Sequence, residues 1–337
     1  MDRRTDANKL CTAAQRGNLQ EVRDLLDSGV PVDAELACRT PLLWAASWAH
    51  TDVVRLLLER GADVNHGAGT WEGTPLFHAC SYGPKRGRPV GEIVRLLIER
   101  GADVNALRRR PPFSEESPLY AASEHGDVDL VRLLLANGAD VEPRNEAPDD
   151  GTYTTVQAAL HIACQKHHVE VARALLEAGA NPSFVKRIVS CASTKRTFGV
   201  TPLFTVASSP RRRSLVRLLL SYVHVDHKTG RYGRTQLHGA CLIGQFDVTR
   251  GLLRLGADIN LADDTGATPL DFALGAIARH SYPPLKRILV SYLPSFWKLL
   301  FALTLGRMHR RAELAGHRIA PLIGSFVVGD VLLRKKR

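Results

Sequence analysis

The residues of this chain best equipped for chemistry are its thirteen histidines and six cysteines. His167 and His168 follow Cys164 closely enough for a zinc ion to be considered. Such an ion needs three or four ligands converging on one point, and the pair instead reads as part of a turn between two helices. His161 and His238 each follow a leucine near the start of an apolar segment, and His78 stands one place later in its own segment. All three are expected to be buried and hydrogen-bonded rather than reactive. Cys11, Cys38, Cys80, Cys164, Cys191 and Cys241 form no CxxC pair. Cys80, Cys164 and Cys241 occupy one equivalent position in three segments, as packed small apolar thiols would. There is no GxSxG elbow, no P-loop and no HExxH. The chain is therefore expected to be no enzyme and to use no cofactor or metal.

Charge is the other chemical resource. Lys and Arg number 45 against 34 Asp and Glu, a formal net charge of +11. The cations gather in runs: Arg108, Arg109 and Arg110; Arg211, Arg212 and Arg213; Arg307 with Arg310 and Arg311; and Arg334 to Arg337. Nucleic-acid phosphates are one target for such runs. They are scattered over loops without interleaved aromatics, so solvated loops or an acidic protein partner are the better readings. The terminal Arg-Lys-Lys-Arg is a weak match to a nuclear import signal. The N-terminus is charged and has no signal-peptide core. The longest apolar run, Phe296 to Leu305, is interrupted by Lys298, short of the roughly 18–20 residues a membrane span needs. The expectation is a reduced, soluble monomer of the cytoplasm, with the nucleus left open.

The elements that must position these groups are repeats. The stretch Arg39 to Asn65 holds a Thr40-Pro41-Leu42 turn, a short helix, a second helix over Asp52 to Arg60, and Gly61-Ala62-Asp63. Thr-Pro-Leu recurs at 40–42, 74–76, 201–203 and 268–270, and in degenerate form at Ser117, Ala158 and Thr235. Gly-Ala-Asp/Asn recurs at Gly61, Gly101, Gly138, Gly179 and Gly256. Each landmark has a physical role. The Thr hydroxyl caps a helix and Pro fits its first turn; Gly supplies a left-handed C-terminal cap. Val53, Val54, Leu56, Leu57 and Leu58 share one apolar face, which only a stacked neighbour can bury.

These motifs resemble the ankyrin repeat family over about residues 6–293. From Pro41 to Pro75 is 34 residues, near the family period of about 33. The resemblance implies an all-α ankyrin repeat solenoid of helix-turn-helix units with β-hairpin loops. About eight repeats are expected, near 6–34, 36–66, 71–106, 114–142, 155–185, 198–227, 232–260 and 263–293. A helical C-terminal extension with a basic tail occupies 294–337. The spacing lengthens to 41 residues from Pro118 to Ala159 and 43 from Ala159 to Pro202. Those excesses fall in loops between repeats, where insertions commonly line a binding face. Repeat three carries Pro84 to Pro89 between its helices. Repeat six replaces its terminal glycine with Tyr222-Val223-His224 and is expected to be looser there.

The repeat register places the last residues of each first helix on the concave side. Arg16, Trp48, Tyr82, Glu124, His125, Lys166 and Ile243 are the candidate binding row, with the basic loops beside it. Trp48 and Tyr82 are the natural interface anchors, although Trp48 could equally cover the first repeat. The function implied is protein–protein recognition by an adaptor or scaffold. One alternative is a ubiquitin-ligase substrate receptor whose tail recruits the ligase. The tail lacks the Leu-Cys-Arg and Leu-Pro-Leu-Pro elements of a SOCS box and reads more readily as a cap on repeat eight. Another alternative is a nuclear protein that holds nucleic acid through the basic loops.

Overall fold

Most repeats open on a hydroxyl. Thr40, in extended conformation, accepts the Leu43 N–H at 3.3 Å, and Pro41 begins α3 (Pro41–Ser47). Thr74 does the same for α5 (Pro75–Tyr82) at 3.2 Å, and Ser117 for α7 (Pro118–His125) at 3.1 Å. Thr201 caps α11 (Pro202–Ala207) at 3.3 Å. Such a cap is worth about 1 kcal/mol, because it satisfies an N–H with no partner inside the helix. Ala158 holds this place before α9 (Ala159–Lys166) and offers no side-chain cap. The other two first helices are α1 (Arg3–Arg16) and α13 (Gln236–Leu242).

The structure is a computed structural model that describes residues 3–67, 72–110, 114–142, 155–156, 158–184, 186–189, 197–207, 212–229, 232–242 and 245–273. Second helices follow in each pair: α2 (Leu19–Asp27), α4 (Thr51–Glu59), α6 (Gly91–Glu99), α8 (Val128–Ala136), α10 (Val169–Glu177), α12 (Arg213–Leu220) and α14 (Phe246–Arg254). The opening of an eighth pair is helical over 269–273. The second helix expected at Pro284 to Tyr292 and the extension over 294–337 lie outside the described residues.

Second helices end on glycine. Gly61 stands at φ +82°, its N–H bonds Leu58 O at 3.2 Å, and the Ala62 N–H bonds Leu57 O at 3.0 Å. This pair of bonds satisfies the last carbonyls of α4, and only the left-handed conformation allows it. The same two bonds close α6, α8, α10 and α14 at Gly101, Gly138, Gly179 and Gly256. The sixth repeat differs. After α12 the Tyr222 N–H reaches Leu219 O at 3.0 Å with no left-handed residue in the turn, and Tyr222 is left 48% exposed.

The chain divides into two compact units, 1–205 with 214–222, and 206–213 with 223–337. In the first, the first helices α1, α3, α5, α7 and α9 pack in succession, as do the second helices α2, α4, α6, α8 and α10. Leu42, Leu57, Leu76, Phe77, Ile93, Leu97, Leu134 and Leu175 are fully buried between the layers. Each contributes roughly 1.5–3 kcal/mol of burial that no single repeat could supply alone. In the second unit α13 packs on α14. Gly251 of α14 lies so close to the Ala207 carbonyl that a side chain there would collide with it.

The expected hairpins are present. β1 (Arg108–Arg110) runs antiparallel to β2 (Ser114–Glu116), and β4 (Lys186–Val189) to β5 (Thr197–Val200). A strand not anticipated, β3 (Thr155–Val156), joins β2 in parallel. The segments that lead into the hairpins are tied to the next repeat by side chains. Asp33 accepts the Asp63 N–H at 3.1 Å, Asn65 the Asp103 N–H at 2.8 Å, Asn105 the Asp140 N–H at 2.7 Å, and Glu142 the Asn181 N–H at 2.6 Å. The Asp of Gly-Ala-Asp also turns its own chain: Asp63 accepts the Asn65 N–H at 2.9 Å. Its role is therefore local and structural.

Candidate binding face

The ends of the first helices carry the candidate row. Arg16 closes α1, Trp48 caps α3, Tyr82 closes α5, Glu124 and His125 close α7, and Lys166 closes α9. For Trp48, Tyr82, Glu124 and His125 this follows from the capped start and short length of the helix. Ile243 and Arg211 lie outside the described residues.

The repeat-three insertion folds back over this row. Pro84–Arg86 forms one 3₁₀ turn, closed by Gly87 at φ +66°. The Arg86 guanidinium lies 4.1 Å from the Trp48 ring centroid and 5.6 Å from that of Tyr82. Its Nη1 donates to Ser47 O at 2.6 Å and to Tyr82 O at 3.4 Å. Arg88 Nη1 donates to Trp48 O at 2.6 Å. The three carbonyls end α3 and α5, where unpaired oxygens and the helix dipole favour a cation. Trp48 and Tyr82 are both half-buried, and the faces of their rings are engaged by Arg86.

Histidines lock the neighbouring turns. His50 Nε2 donates to Gln15 O at 3.0 Å, and its ring rests on Gly17 of the previous repeat. His168 repeats this geometry, with Nε2 donating to Glu124 O at 3.1 Å and its ring on Gly126. Burial pushes the His50 imidazole below its ordinary pKa, the Gln15 bond opposes that shift, and Arg88 adds to it. His167 takes a left-handed φ of +70° where repeats one and four have Gly17 and Gly126 and repeat two has Ala49 at φ +56°. Among the described residues, no group of three His, Cys, Asp or Glu side chains could hold a metal ion.

The deeper histidines bridge layers. His161 Nε2 donates to Val200 O at 2.8 Å and His238 Nε2 to Ala267 O at 3.0 Å. His78 is 1% exposed; its Nε2 donates to Glu72 O at 2.7 Å and its Nδ1 accepts from the Ser47 hydroxyl at 2.7 Å. Burial drives its pKa down to about 3, so the ring is neutral. Cys80, Cys164 and Cys241 are buried, each in a first helix.

The cations differ in how far they are committed. Arg108 lies 5.1 Å over Phe77 and 3.7 Å from Glu116. Arg109 and Arg110 continue β1, opposite Glu115 and Ser114. Arg212 is half-buried, and Arg213 is exposed at the first position of α12. Lys166 pairs with Glu124 of the preceding repeat at 3.7 Å. Arg86 and Arg88 were not among the candidate residues. Two arginines between prolines, in an insertion beside Trp48 and Tyr82, were the available signal.

The sequence model of ankyrin repeats (three copies) matches residues 10–108, 64–145, 86–186 and 177–263. The chain is an ankyrin repeat protein. It is 31% identical over 268 residues to the mouse (Mus musculus) ankyrin repeat and SOCS box protein 16, covering 80% of this chain and 47% of that protein. It is 30% identical over 256 residues to the probable E3 ubiquitin-protein ligase XBOS33 of Oryza sativa subsp. japonica, covering 75% and 39%. It is 29% identical over 296 residues to the ankyrin repeat and KH domain-containing protein mask-1 of Caenorhabditis elegans, covering 84% and 11%. The chain thus spans less than half the length of each of these relatives. The ankyrin repeat is an interaction module, and the capped helices, glycine stops and hairpins described above are its parts in this protein. Among the described residues of this ankyrin repeat protein, no helix is long and apolar enough to cross a membrane.

Proposed function

We propose that this ankyrin repeat protein is an adaptor without chemistry of its own, and that it holds a partner protein in its concave row and on its hairpin loops. The observation that carries this reading is the rigid display of the row. Capped helices, the His50 and His168 bridges and the Arg86 clamp fix Arg16, Trp48, Tyr82 and His125 before any partner arrives. Preorganisation of this kind lowers the entropy lost on binding. The net charge of +11 favours an acidic partner. It favours nucleic acid less, because Arg108 and Lys166 are already paired with carboxylates. The domain reading that goes with this proposal is eight repeats to residue 293 and a helical extension after it, in a cytoplasmic protein.

A second reading has support from the relatives. Two are named for a SOCS box or a ubiquitin ligase, and a tail over 294–337 would be the recruiting segment here. Affinity purification from cells separates the two, with the full chain beside a version ending at Leu293 and a full chain carrying Leu299→Asp and Leu303→Asp. Retention of the same partners by all three supports the adaptor. Cullin-type ligase subunits recovered only with the unaltered chain would put the substrate receptor first. Recovery of no shared partner by any of the three would sink the adaptor reading.

A further inference from the structure

Several cations on the described surface are neutralised within the protein. Arg39 bonds Glu72 at 2.7 Å, Arg55 bonds Glu92 at 2.6 Å, Arg60 bonds Asp27 at 2.7 Å and Arg234 bonds Asp263 at 3.1 Å. Arg86 and Arg88 are both exposed and have no carboxylate partner among the described residues. One Nη of each is spent on helix-end carbonyls, which hold the guanidinium in place without neutralising it. Arg16 is exposed and likewise without a carboxylate. It adjoins Gln15, whose carbonyl takes His50, the ring that feels the charge of Arg88. Arg88 thus lies near the His50 ring, and Arg86 and Arg16 add uncompensated charge at the ends of repeats three and one.

We infer that Arg86 and Arg88, fastened across Trp48 and Tyr82 by the repeat-three insertion, are the anchor for the carboxylates of an acidic segment in the partner protein. This inference rests on the protein-binding reading above and names the chemistry of that same face. A guanidinium presents its free donors as a planar fork that matches a carboxylate. Fixing the side chain beforehand removes rotamer entropy from the cost of binding. A nucleic-acid strand fits less well. Single-stranded recognition relies on aromatic faces open to bases, and here Arg86 occupies both rings.

The test is fluorescence anisotropy on the full chain. The probe is a fluorescein-labelled dodecapeptide of alternating Glu and Ser, beside the same peptide with Gln for Glu and a labelled oligothymidine of matched charge. The variants are Arg86→Gln, Arg88→Gln, Arg88→Lys and the control Arg95→Gln, which removes an exposed charge from α6. Arg88→Gln loses a single surface bond and tests the anchor even if Arg86→Gln loosens Trp48. We expect the Glu peptide to bind and the Gln peptide not to. We expect each Arg→Gln anchor variant to weaken binding by about tenfold, the scale of one charge-assisted hydrogen bond, Arg88→Lys to weaken it less, and Arg95→Gln to leave it within about twofold. Equal losses for Arg88→Gln and Arg95→Gln would mean general charge attraction and overturn the anchor while leaving the acidic-partner reading intact. No binding of the Glu peptide to the unaltered chain would overturn both. Oligothymidine binding with the same dependence on Arg86 and Arg88 would overturn the choice of protein as ligand.

Discussion

Replacing Gly126 by alanine tests the bridge between turns most directly. Gly126 stands at φ +79°, a conformation that costs a residue with a Cβ about 1 kcal/mol. The new Cβ would also lie 2.5 Å from His168 Nδ1, inside the ring's contact distance. The imidazole must then swing away, breaking its bond to Glu124 O, at a further cost of about 1 kcal/mol. We expect Gly126→Ala to destabilise by about 2 kcal/mol and His168→Ala by about 1 kcal/mol. In the double variant the obstructing ring is gone, so only the backbone strain and one lost bond remain, again about 2 kcal/mol. The cycle should therefore show a coupling of about 1 kcal/mol between the sites. Urea unfolding followed by circular dichroism, with unchanged m values, reads these quantities. Additive losses, with the double variant about 3 kcal/mol below the parent, would refute the contact between ring and glycine. Gly17 and His50 share the geometry and should give the same cycle.

Other expectations follow from individual contacts. Ala158→Thr should gain about 0.5–1 kcal/mol, because Thr40, Thr74 and Thr201 hold the same place and cap their helices; thermal unfolding that shows no gain would count against the shared geometry. His78 is neutral when folded and titrates near its ordinary value of about 6.5 when unfolded. Its contribution is therefore complete above that pH and declines as the pH falls toward about 3. Its ring nitrogens should show the neutral NMR signature at pH 5, and a protonated signature there would refute the buried setting. Cys38 is exposed whereas Cys11, Cys80, Cys164 and Cys241 are buried, with burial pushing Cys11 and Cys241 up to about 12. Brief iodoacetamide treatment of the native protein should alkylate Cys38 well ahead of those four, as peptide mass spectrometry would record.

The repeat itself was legible because its signals are local. A hydroxyl three residues ahead of a helical N–H and a glycine one turn past a leucine act through the chain's own neighbours, so Thr74 and Gly101 declare themselves. Ala158 was legible for the same reason, as a gap in the pattern. The site was legible only in its register. The helix lengths placed Trp48 and Tyr82 side by side, but what lies across them depends on how a six-residue insertion folds back, and Arg86 reaches Ser47 from 39 residues away. No periodicity carries that contact. β3 escaped for a related reason: its parallel partner is about forty residues earlier in the chain, and a two-residue strand has no pattern of its own.

The side-chain ties from Asp33, Asn65, Asn105 and Glu142 to the backbone of the following repeat have a mechanical meaning. They stitch one edge of the first unit at each step from repeat one to repeat five. A seam of this kind resists stretching, so any bend that would lengthen this edge is opposed at each tie. Hairpin β1–β2 begins three residues beyond Asn105, so it springs from the stitched edge. A partner gripping neighbouring hairpins would therefore meet repeats whose spacing is already set.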